Sequence, residues 1–460
     1  MRSHRAHLEW SSGLARGQTD NQNRCVWKKS VLRNLVTLSS VACLMSSAAP
    51  ALAQRVIFGT SVSGTGNLGS WADAGAQTGL AAGDAICQAR ATAAGLANPQ
   101  NFVAWLSDSS NDAYCRIHGL AGTKAANCGQ PSLPAAAGPW VRTDGFPFGE
   151  EITQLLSPNG VVYAPFRLDE FGDPLPEPPT LSVAPHLFFT ATSRAGVLPA
   201  SSVECGNWLN ASNEYPAMGT SYHTTSGWTE AASITCSEQA RLVCMERLPG
   251  PALPSVAVPG RLAFVTSAQG NGNLGSWPEA DPGTSGLAAG DSICRNLAAD
   301  AGFAEFDTFK AWLSDSSTTN AINRITVEGR WVRPDGGVVA ASKADLTDGL
   351  LRTSINVTDE GVYLGNANVW TGATDLGVAH PDHCDDWTAD TSAFTGRNGA
   401  ADSAGFGWSG GRPSVGAPGG APRPCDGTSY HLYCLSDADV SIFTDGFEFG
   451  DTSAWSSSVP

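Results

Sequence analysis

Hydrophobic and polar positions follow one another in an order that predicts short strands and one long helix, and this order occurs twice. Apolar runs at Val56–Thr60 and Leu262–Thr266 predict a strand that enters a loop rich in Gly and Asn. Apolar residues at helical spacing predict a helix at about Ala82–Ala94 and again at Ala289–Ala301. A glycine follows each of these helices at once and suits the left-handed C-cap position.

Two further strands complete the pattern in each half. The runs NFVAWLS and TFKAWLS are typical of buried strands, and a long stretch rich in turns and Trp follows them. Each half ends in a strand whose alternate residues are expected to face inward, Leu242 and Cys244 in one half, Leu432 and Cys434 in the other. One long helix, several short strands and much irregular chain indicate an α+β fold.

The two halves also repeat each other in sequence. FGTSVSGTGNLGSW at Phe58–Trp71 returns as FVTSAQGNGNLGSW at Phe264–Trp277, and AWLSDSS occurs in both halves. The corresponding residues Cys87 and Cys294 are 207 positions apart, far beyond the roughly 20–50-residue periods of solenoids and propellers. Each copy is therefore predicted to be a whole domain.

Five divisions follow from this repeat and from its flanks. In chain order, we predict a signal peptide at 1–53, a first domain at 56–247, a Pro-rich linker at 248–260, a second domain at 261–437 and a C-terminal tail at 438–460. The first segment has a basic part, an apolar stretch at Leu35–Met45 and a small-x-small end at Ala51–Ala53, as secretory signals do. That stretch is shorter than the about 20 residues that span a bilayer. No later segment is long and apolar enough, so we expect a secreted or cell-surface protein without a membrane-spanning segment.

Acidic residues dominate outside the signal peptide. The chain holds 27 Lys and Arg against 43 Asp and Glu, and the first 53 residues carry seven of the basic and two of the acidic side chains. Residues 54–460 therefore have a formal net charge of −21. Because such a surface repels phosphate backbones and anionic lipid heads, we expect no nucleic-acid partner.

Ten cysteines follow the signal peptide, six in the first domain and four in the second, and an even number in each exported domain indicates disulfides. Flanking sequence matches four of them between the copies: Cys87, Cys205, Cys236 and Cys244 correspond to Cys294, Cys384, Cys425 and Cys434. Cys115 and Cys128 are then left to pair locally. Four cysteines permit three pairings. Because the helix cysteine needs a partner across the core, we favour a nested pattern, with Cys87–Cys244 around Cys205–Cys236 and Cys294–Cys434 around Cys384–Cys425.

These residues resemble a known family. The strings GNLG, GLAAGDAICQARATAAGL and FVAWLSDSS, followed by VWTGATDLG, CDDWTADTSAFTGRNG and YHLYCLSD, are similar to bacterial secreted domains with the endostatin-like version of the C-type lectin fold. The resemblance implies two tandem, disulfide-stapled and loop-rich domains of that fold, and it agrees with nested cysteines. The second domain fits over nearly its whole length, whereas the middle of the first departs from the pattern.

The resemblance brings no ligand with it, because a fold does not fix a function. The Glu-Pro-Asn-type and Trp-Asn-Asp-type motifs of calcium-dependent lectins are absent from the sequence. The histidine cluster of the endostatin zinc site has no counterpart at Gln54–Val56, and a charge of −21 is unsuited to heparin. We therefore expect no cofactor. The tail sequence TDGFEFGDTSAWS resembles a short C-terminal element of exported proteobacterial proteins, with a disordered acidic extension as the alternative.

Three motifs could carry chemistry. GxGxxG occurs at Gly64–Gly69 and Gly270–Gly275, but no helix opens directly after it as a dinucleotide site requires, so we interpret it as a structural turn. GxSxG at Gly407–Gly411 contains Ser409, yet it lacks the strand–turn–helix context of a nucleophile elbow. His380, Asp382 and His383 are weak candidates for a metal site, with a solvated acidic loop as the alternative.

Aromatic and acidic residues of the long loops are the candidates for ligand binding. Exposed indoles commonly contact sugar rings or peptide side chains. The ligand-binding candidates are Trp208, Trp228, Trp370, Trp387 and Trp408, together with Asp385 and Asp386. Core packing is the competing interpretation for each of these Trp residues.

The sequence therefore predicts an exported, non-enzymatic protein that binds an extracellular or cell-surface carbohydrate or polymer through two lectin-like domains. A structural or adhesion module that binds a surface protein is the alternative, and a hydrolase using Ser409 or a metal at His380 and His383 is a third hypothesis. The sequence leaves the oligomeric state open.

Overall fold

The computed structural model describes residues 54–438, apart from 136, 158, 177–186, 201–202, 248–249, 254–257, 318 and 412–420. The predicted signal peptide at 1–53 lies outside the described residues, and so does the predicted tail from 439 onward. Of the Pro-rich linker, 250–253 and 258–260 are described, and they form neither helix nor strand.

The described part of the first repeat contains eight strands and four short or medium helices. The strands are β1 (Val56–Gly59), β2 (Phe102–Ala104), β3 (Trp140–Arg142), β4 (Pro147–Gly149), β5 (Leu187–Phe189), β6 (Ala217–Thr220), β7 (Ala232–Ser233) and β8 (Arg241–Glu246). The helices are α1 (Gly79–Ala93), α2 (Ala113–Ile117), α3 (Ile152–Leu155) and α4 (Cys205–Trp208). Short 3₁₀ helices lie at Leu68–Ser70, Ala72–Ala74, Pro99–Asn101, Lys124–Gly129 and Ser226–Trp228.

The second repeat follows nearly the same order. Its strands are β9 (Arg261–Val265), β10 (Phe309–Ala311), β11 (Trp331–Val332), β12 (Val338–Ala340), β13 (Asn368–Trp370), β14 (Thr395–Gly396), β15 (Asn398–Ala400), β16 (Arg423–Pro424) and β17 (Tyr430–Ser436). Its helices are α5 (Gly286–Asp300), α6 (Ala321–Arg324), α7 (Cys384–Trp387) and α8 (Gly407–Gly410). Short 3₁₀ helices lie at Leu274–Ser276, Phe306–Thr308 and Ala344–Leu346.

Both repeats build the same mixed sheet. The strand order is β4-β3-β1-β8-β5-β6-β7 in the first and β12-β11-β9-β17-β13-β15 in the second. β2 pairs additionally with β8, and β10 with β17. The register also agrees, since Phe58 lies opposite Cys244 and Phe264 lies opposite Cys434. The α+β prediction is confirmed, and the repeat in sequence is a repeat in topology.

The last strand of each repeat is the central strand of its sheet. Leu242 and Cys244 of β8 pack in the cluster that contains α1, as predicted. The expectation of a single inward face is wrong, however, because Val243 and Met245 are buried in a second cluster on the other face. A strand with neighbours on both sides and apolar layers on both faces has no solvent face, so all six residues of β8 are buried.

The predicted helices are confirmed with small shifts at their ends. α1 and α5 begin three residues earlier than expected, at Gly79 and Gly286. The glycines that follow them, Gly95 and Gly302, have φ of 68° and 71°, the left-handed conformation predicted for the C-cap. The helix cysteines face the sheet, since both Cys87 and Cys294 are fully buried.

Five disulfides join the ten cysteines of the described chain. The helix cysteine is bonded to the central strand in each repeat, Cys87 to Cys244 and Cys294 to Cys434. The inner pairs are Cys205–Cys236 and Cys384–Cys425, and the extra pair of the first repeat is Cys115–Cys128. This is the predicted nested pattern. In the part of the chain that the structure describes, no helix combines the length and apolar character needed to cross a bilayer.

Candidate functional site

Each repeat contains a complete turn of left-handed helix, at Cys205–Trp208 and at Cys384–Trp387. The four φ angles are 55°, 58°, 58° and 64° in the first repeat and 51°, 51°, 54° and 64° in the second. Only one of these eight positions is glycine. A left-handed conformation costs an L-residue roughly 1–2 kcal/mol, so consecutive residues keep it only where their surroundings impose it.

Both ends of the turn in the second repeat are fixed in the core. Cys384 is bonded to Cys425, and the indole of Trp387 is fully buried with its Nε1 donating to the carbonyl oxygen of Ser314 at 2.8 Å. The first repeat fixes its turn in the same way, since the Trp208 Nε1 donates to the Ser107 carbonyl at 2.9 Å. The disulfide and the indole thus hold an otherwise unfavourable backbone.

The middle of the turn is held from the surface. The Asp386 carboxylate accepts hydrogen bonds from the backbone N–H and the hydroxyl of Ser316, both at 2.7 Å. Burial opposes ionisation of this carboxyl, but the Ser316 bonds outweigh it and lower the pKa of Asp386. Asn207 does the same in the first repeat, where its Oδ1 accepts from the backbone N–H and hydroxyl of Ser109 at 3.1 and 2.8 Å. Asp385, next to Asp386, is exposed to solvent.

An exposed aromatic residue belongs to the segment whose backbone bonds a cysteine of the inner disulfide in each repeat. Tyr215 is 59% exposed and Phe394 is 42% exposed. The Cys425 N–H donates to the Phe394 carbonyl at 3.1 Å, and the Cys236 N–H donates to the carbonyl of Glu214, the neighbour of Tyr215, at 2.8 Å. The sequence analysis missed both rings, because no local pattern distinguishes them from the buried aromatic residues.

We call the left-handed turn, the serine that bonds it and the exposed aromatic residue the turn surface of each repeat. Its residues are Ser109, Cys205–Trp208 and Tyr215 in the first repeat, and Ser316, Cys384–Trp387 and Phe394 in the second.

The tryptophans that the sequence analysis offered as ligand contacts are not exposed. Relative exposure is 0% for all five, namely Trp208, Trp228, Trp370, Trp387 and Trp408. Trp370 stacks on Tyr430 with ring centroids 3.8 Å apart, and Trp408 packs on Trp312 at 5.0 Å. An exposed indole platform at these positions was the wrong expectation. These large rings are part of the buried cores of the two repeats.

The two candidate histidines, His380 and His383, lie in separate pairs. His380 Nδ1 is 3.1 Å from Asp382 Oδ2, and His383 Nδ1 is 3.2 Å from Asp386 Oδ1. The His383 Nδ1 also accepts a hydrogen bond from the backbone N–H of Asp386 at 3.0 Å, so His383 helps to hold the left-handed turn. Burial, together with the charge of Arg397, lowers the pKa of His380. Among the described residues, no group of three or more His, Cys, Asp and Glu side chains is arranged to hold a metal ion.

No family model matches the chain, and no curated protein matches it either.

The GxSxG serine has a structural position. Ser409 is fully buried in α8, where its hydroxyl accepts from the Trp312 Nε1 at 2.9 Å and donates to the Thr374 carbonyl at 3.0 Å. The first repeat has Thr229 at the corresponding place, and its hydroxyl accepts from the Trp105 Nε1 at 2.8 Å and donates to the Thr192 carbonyl at 3.1 Å. The same bonds in both repeats indicate a conserved core contact within the chain rather than an exposed nucleophile.

The GxGxxG loops are packing turns. A Cβ at Gly270 would lie 2.4 Å from the Trp277 ring, and a Cβ at Gly272 would lie 2.4 Å from the Cys384 sulfur. Gly64 and Gly66 of the first repeat are equally close to Trp71 and Cys205. These glycines let the loop approach the indole and the inner disulfide, which agrees with the structural interpretation.

Proposed function

We propose that this is an exported, non-enzymatic binding protein that recognises an extracellular or cell-surface carbohydrate or polymer through its turn surfaces. The observation that carries the proposal is the pair of left-handed turns, each held in an unfavourable conformation by a disulfide, a buried indole and a serine. Strain of this kind is retained where a fixed arrangement of exposed groups is useful.

The groups at the turn surfaces suit a polyhydroxylated ligand. Asp385 offers an exposed carboxylate, Ser316 is an exposed serine whose hydroxyl oxygen can accept a hydrogen bond, and Phe394 offers an exposed ring. Carboxylates and hydroxyls hydrogen-bond sugar hydroxyls, and an aromatic face packs against the apolar side of a sugar ring. The first repeat presents Tyr215 in the same manner.

Compartment and fold support the same proposal. Five disulfides favour an oxidising environment outside the cytosol. We propose that each repeat has the endostatin-like version of the C-type lectin fold, in which a disulfide joins the first helix to the central strand and the loops carry the ligand. Two similar surfaces in one chain would increase avidity for a repetitive polymer.

A glycan array tests the proposal with the full-length exported chain, in the presence and absence of calcium. We expect binding to a restricted set of glycans. The paired substitution Tyr215→Ser and Phe394→Ser should weaken it by about fivefold or more, taking for each ring the roughly 0.5–1.5 kcal/mol that a pair of aromatic rings contributes. Phe306→Ser is the matched control, because Phe306 is 47% exposed but does not belong to a turn surface. Binding at background level in both conditions would refute recognition of glycans.

One observation favours the alternative of adhesion to a surface protein. Leu376 and Val378 are 50% and 44% exposed within a turn closed by hydrogen bonds between Thr374 and Val378. Exposed aliphatic side chains in one turn suit a protein partner better than a sugar. Capture of a protein that free sugars do not displace, and that Leu376→Ser with Val378→Ser abolishes, would favour this function.

A further inference from the structure

A half-buried network beside the first helix is shared by the two repeats. In the second repeat, Asp291 of α5 accepts hydrogen bonds from the Ala311 N–H at 2.9 Å and from the Arg324 guanidinium at 2.6 Å. In the first, Asp84 of α1 accepts from the Ala104 N–H at 2.9 Å and from the Arg116 guanidinium. The two sites are therefore the same structural element and can be compared residue by residue.

The second repeat completes this site with a carboxylate of its own. Asp437 follows the central strand, its side chain is 5% exposed, and it accepts from the Lys310 ammonium at 2.5 Å. It also accepts from the backbone N–H of Thr326 at 2.6 Å and from the Thr326 hydroxyl at 2.8 Å. Two carboxylates thus face two cations, so the site is formally neutral.

The first repeat lacks that carboxylate. The sheet register places Val103 where the second repeat has Lys310, and Arg247 follows the central strand where the second repeat has Asp437. Arg247 and Asp437 correspond also in their backbone bonds, because their N–H groups donate to the equivalent carbonyls of Asn101 and Thr308. Asp84 then faces Arg116 and Arg247, which leaves one positive charge uncompensated.

A cavity of about 300 Å³ lies at this place, with Asp84, Arg116, Arg247, Leu80, Val103 and Leu120 in its lining. The donors on both Arg116 Nη atoms are engaged by Asp84 and by the carbonyls of Ala104 and Leu106. The Arg247 guanidinium, by contrast, makes no hydrogen bond or ion pair with any other residue between 54 and 438 that the structure describes.

We propose that this cavity binds a small monocarboxylate with an apolar body. The carboxylate pairs with Arg247, whose planar guanidinium suits bidentate contact, and restores the neutrality that Asp437 provides in the second repeat. The apolar body packs against Leu80, Val103 and Leu120. The volume of about 300 Å³ is at the lower end of the roughly 300–1,000 Å³ of small-molecule sites, which suits a small acid. This inference does not depend on a glycan at the turn surfaces.

Ligand-observed NMR titration of the full-length exported chain with hexanoate tests this site. We expect saturable binding, weaker binding of acetate because it lacks the apolar body, and no comparable binding of hexan-1-ol or inorganic phosphate. Arg247→Ala should weaken hexanoate binding at least tenfold, whereas Arg423→Ala, at an exposed arginine elsewhere in the chain, should leave it unchanged.

A second variant guards against loss of folding. Val103→Lys combined with Arg247→Asp recreates the Lys310–Asp437 ion pair of the second repeat. This double variant should unfold at least as cooperatively as the native chain and bind no hexanoate. Retention of hexanoate binding by this variant, equal binding of hexan-1-ol, or absence of saturation in the native chain would each overturn the proposal. A peptide whose C-terminal carboxylate competes with hexanoate would support the carboxylate site and identify a macromolecular source for it.

Discussion

The backbone N–H of Thr224 donates to the carbonyl oxygen of Asp402 at 3.0 Å, so a loop of the first repeat pairs with a loop of the second. The bond is reciprocated, because the N–H of Ala404 donates to the carbonyl oxygen of Tyr222 at 2.9 Å. Thr224 and Ala404 each precede a buried tryptophan of their own repeat, Trp228 or Trp408, by four residues. Equivalent loops therefore meet about a local two-fold axis, as the subunits of a symmetric dimer do.

Side chains close this contact. The Asp402 carboxylate accepts from the Thr225 hydroxyl at 3.0 Å and lies 3.3 Å from His223 Nδ1, and its side chain is only 4% exposed. Both repeats belong to one compact unit of the chain. The proline-rich linker therefore joins two domains that are already in contact through their own loops.

Substitution of Asp402 tests how strongly the repeats depend on each other. We expect Asp402→Ala to lower the free energy of unfolding by about 1–3 kcal/mol, because it leaves buried polar partners unsatisfied. Urea unfolding followed by tryptophan fluorescence measures this change. Asp390→Ala, at an exposed aspartate, is the control and should be neutral. Equal stabilities of the two variants would mean that the contact contributes little.

The buried hydroxyl of Ser409 distinguishes a structural serine from a nucleophile. Ser409→Ala should destabilise the protein by about 1–3 kcal/mol, because the indole N–H of Trp312 loses its acceptor. Ser409→Thr should cost less, since Thr229 supplies the same acceptor in the first repeat. Thermal unfolding measures both effects. An esterase activity that Ser409→Ala abolishes while stability is unchanged would contradict the structural assignment.

The inner disulfide of the second repeat closes a loop of 41 residues and anchors the left-handed turn. Replacing both Cys384 and Cys425 by Ser should cost about 4 kcal/mol by the chain-entropy model. The pair Cys115→Ser with Cys128→Ser, which opens a loop of 13 residues, should cost about 3 kcal/mol and serves as the comparison. Denaturant unfolding measures the loss of free energy of unfolding in each variant. A larger loss for the Cys115–Cys128 variant would contradict the chain-entropy model.

Acid stability should depend on Asp335. It accepts from the Arg333 guanidinium at 3.0 and 2.7 Å, and Arg333 is fully buried and donates onward to the Tyr163 carbonyl of the first repeat at 3.1 Å. Burial opposes ionisation of Asp335, but Arg333 outweighs it and lowers its pKa. A lowered folded-state pKa means that this stabilisation is complete above the ordinary value of about 3.9 and is lost as the pH falls through the folded-state value.

Asp335→Asn should therefore remove about 3–5 kcal/mol at neutral pH, because it leaves the Arg333 charge buried without its partner. It should also flatten the fall in stability between pH 5 and pH 2, which urea unfolding over that range measures. Asp307→Asn, at an exposed aspartate, should keep the native pH profile. If the free energy of unfolding of Asp335→Asn falls between pH 5 and pH 2 as steeply as that of the native chain, other carboxylates control acid unfolding.

Part of the candidate site was predictable from the sequence. Asp385 and Asp386 were expected in a ligand loop next to a disulfide cysteine, and the structure places them in the left-handed turn that begins at Cys384. The handedness of that turn was not predictable, because a run of non-glycine residues there is locally unfavourable. It exists because Cys425, Ser314 and Ser316, all distant in sequence, hold its two ends and its middle.

The aromatic residues likewise show what the sequence predicts and what only the structure decides. Sequence places Trp387 and Phe394 seven residues apart in one loop, and nothing nearby states which ring is buried. The structure buries the indole and exposes the phenyl ring, because the indole fills a gap between the helix and the sheet and finds a carbonyl acceptor there.

By itself, the sequence determined the duplication, the α+β class and the long helix of each repeat, and it favoured the nested cysteines, because these depend on spacing along the chain and on matching between its halves. Only the tertiary structure decided which aromatic rings face solvent, where non-glycine residues form a left-handed turn and that equivalent loops pair across the repeats. Those features depend on contacts between residues far apart in the chain and on the total apolar volume to be buried, which no local pattern records.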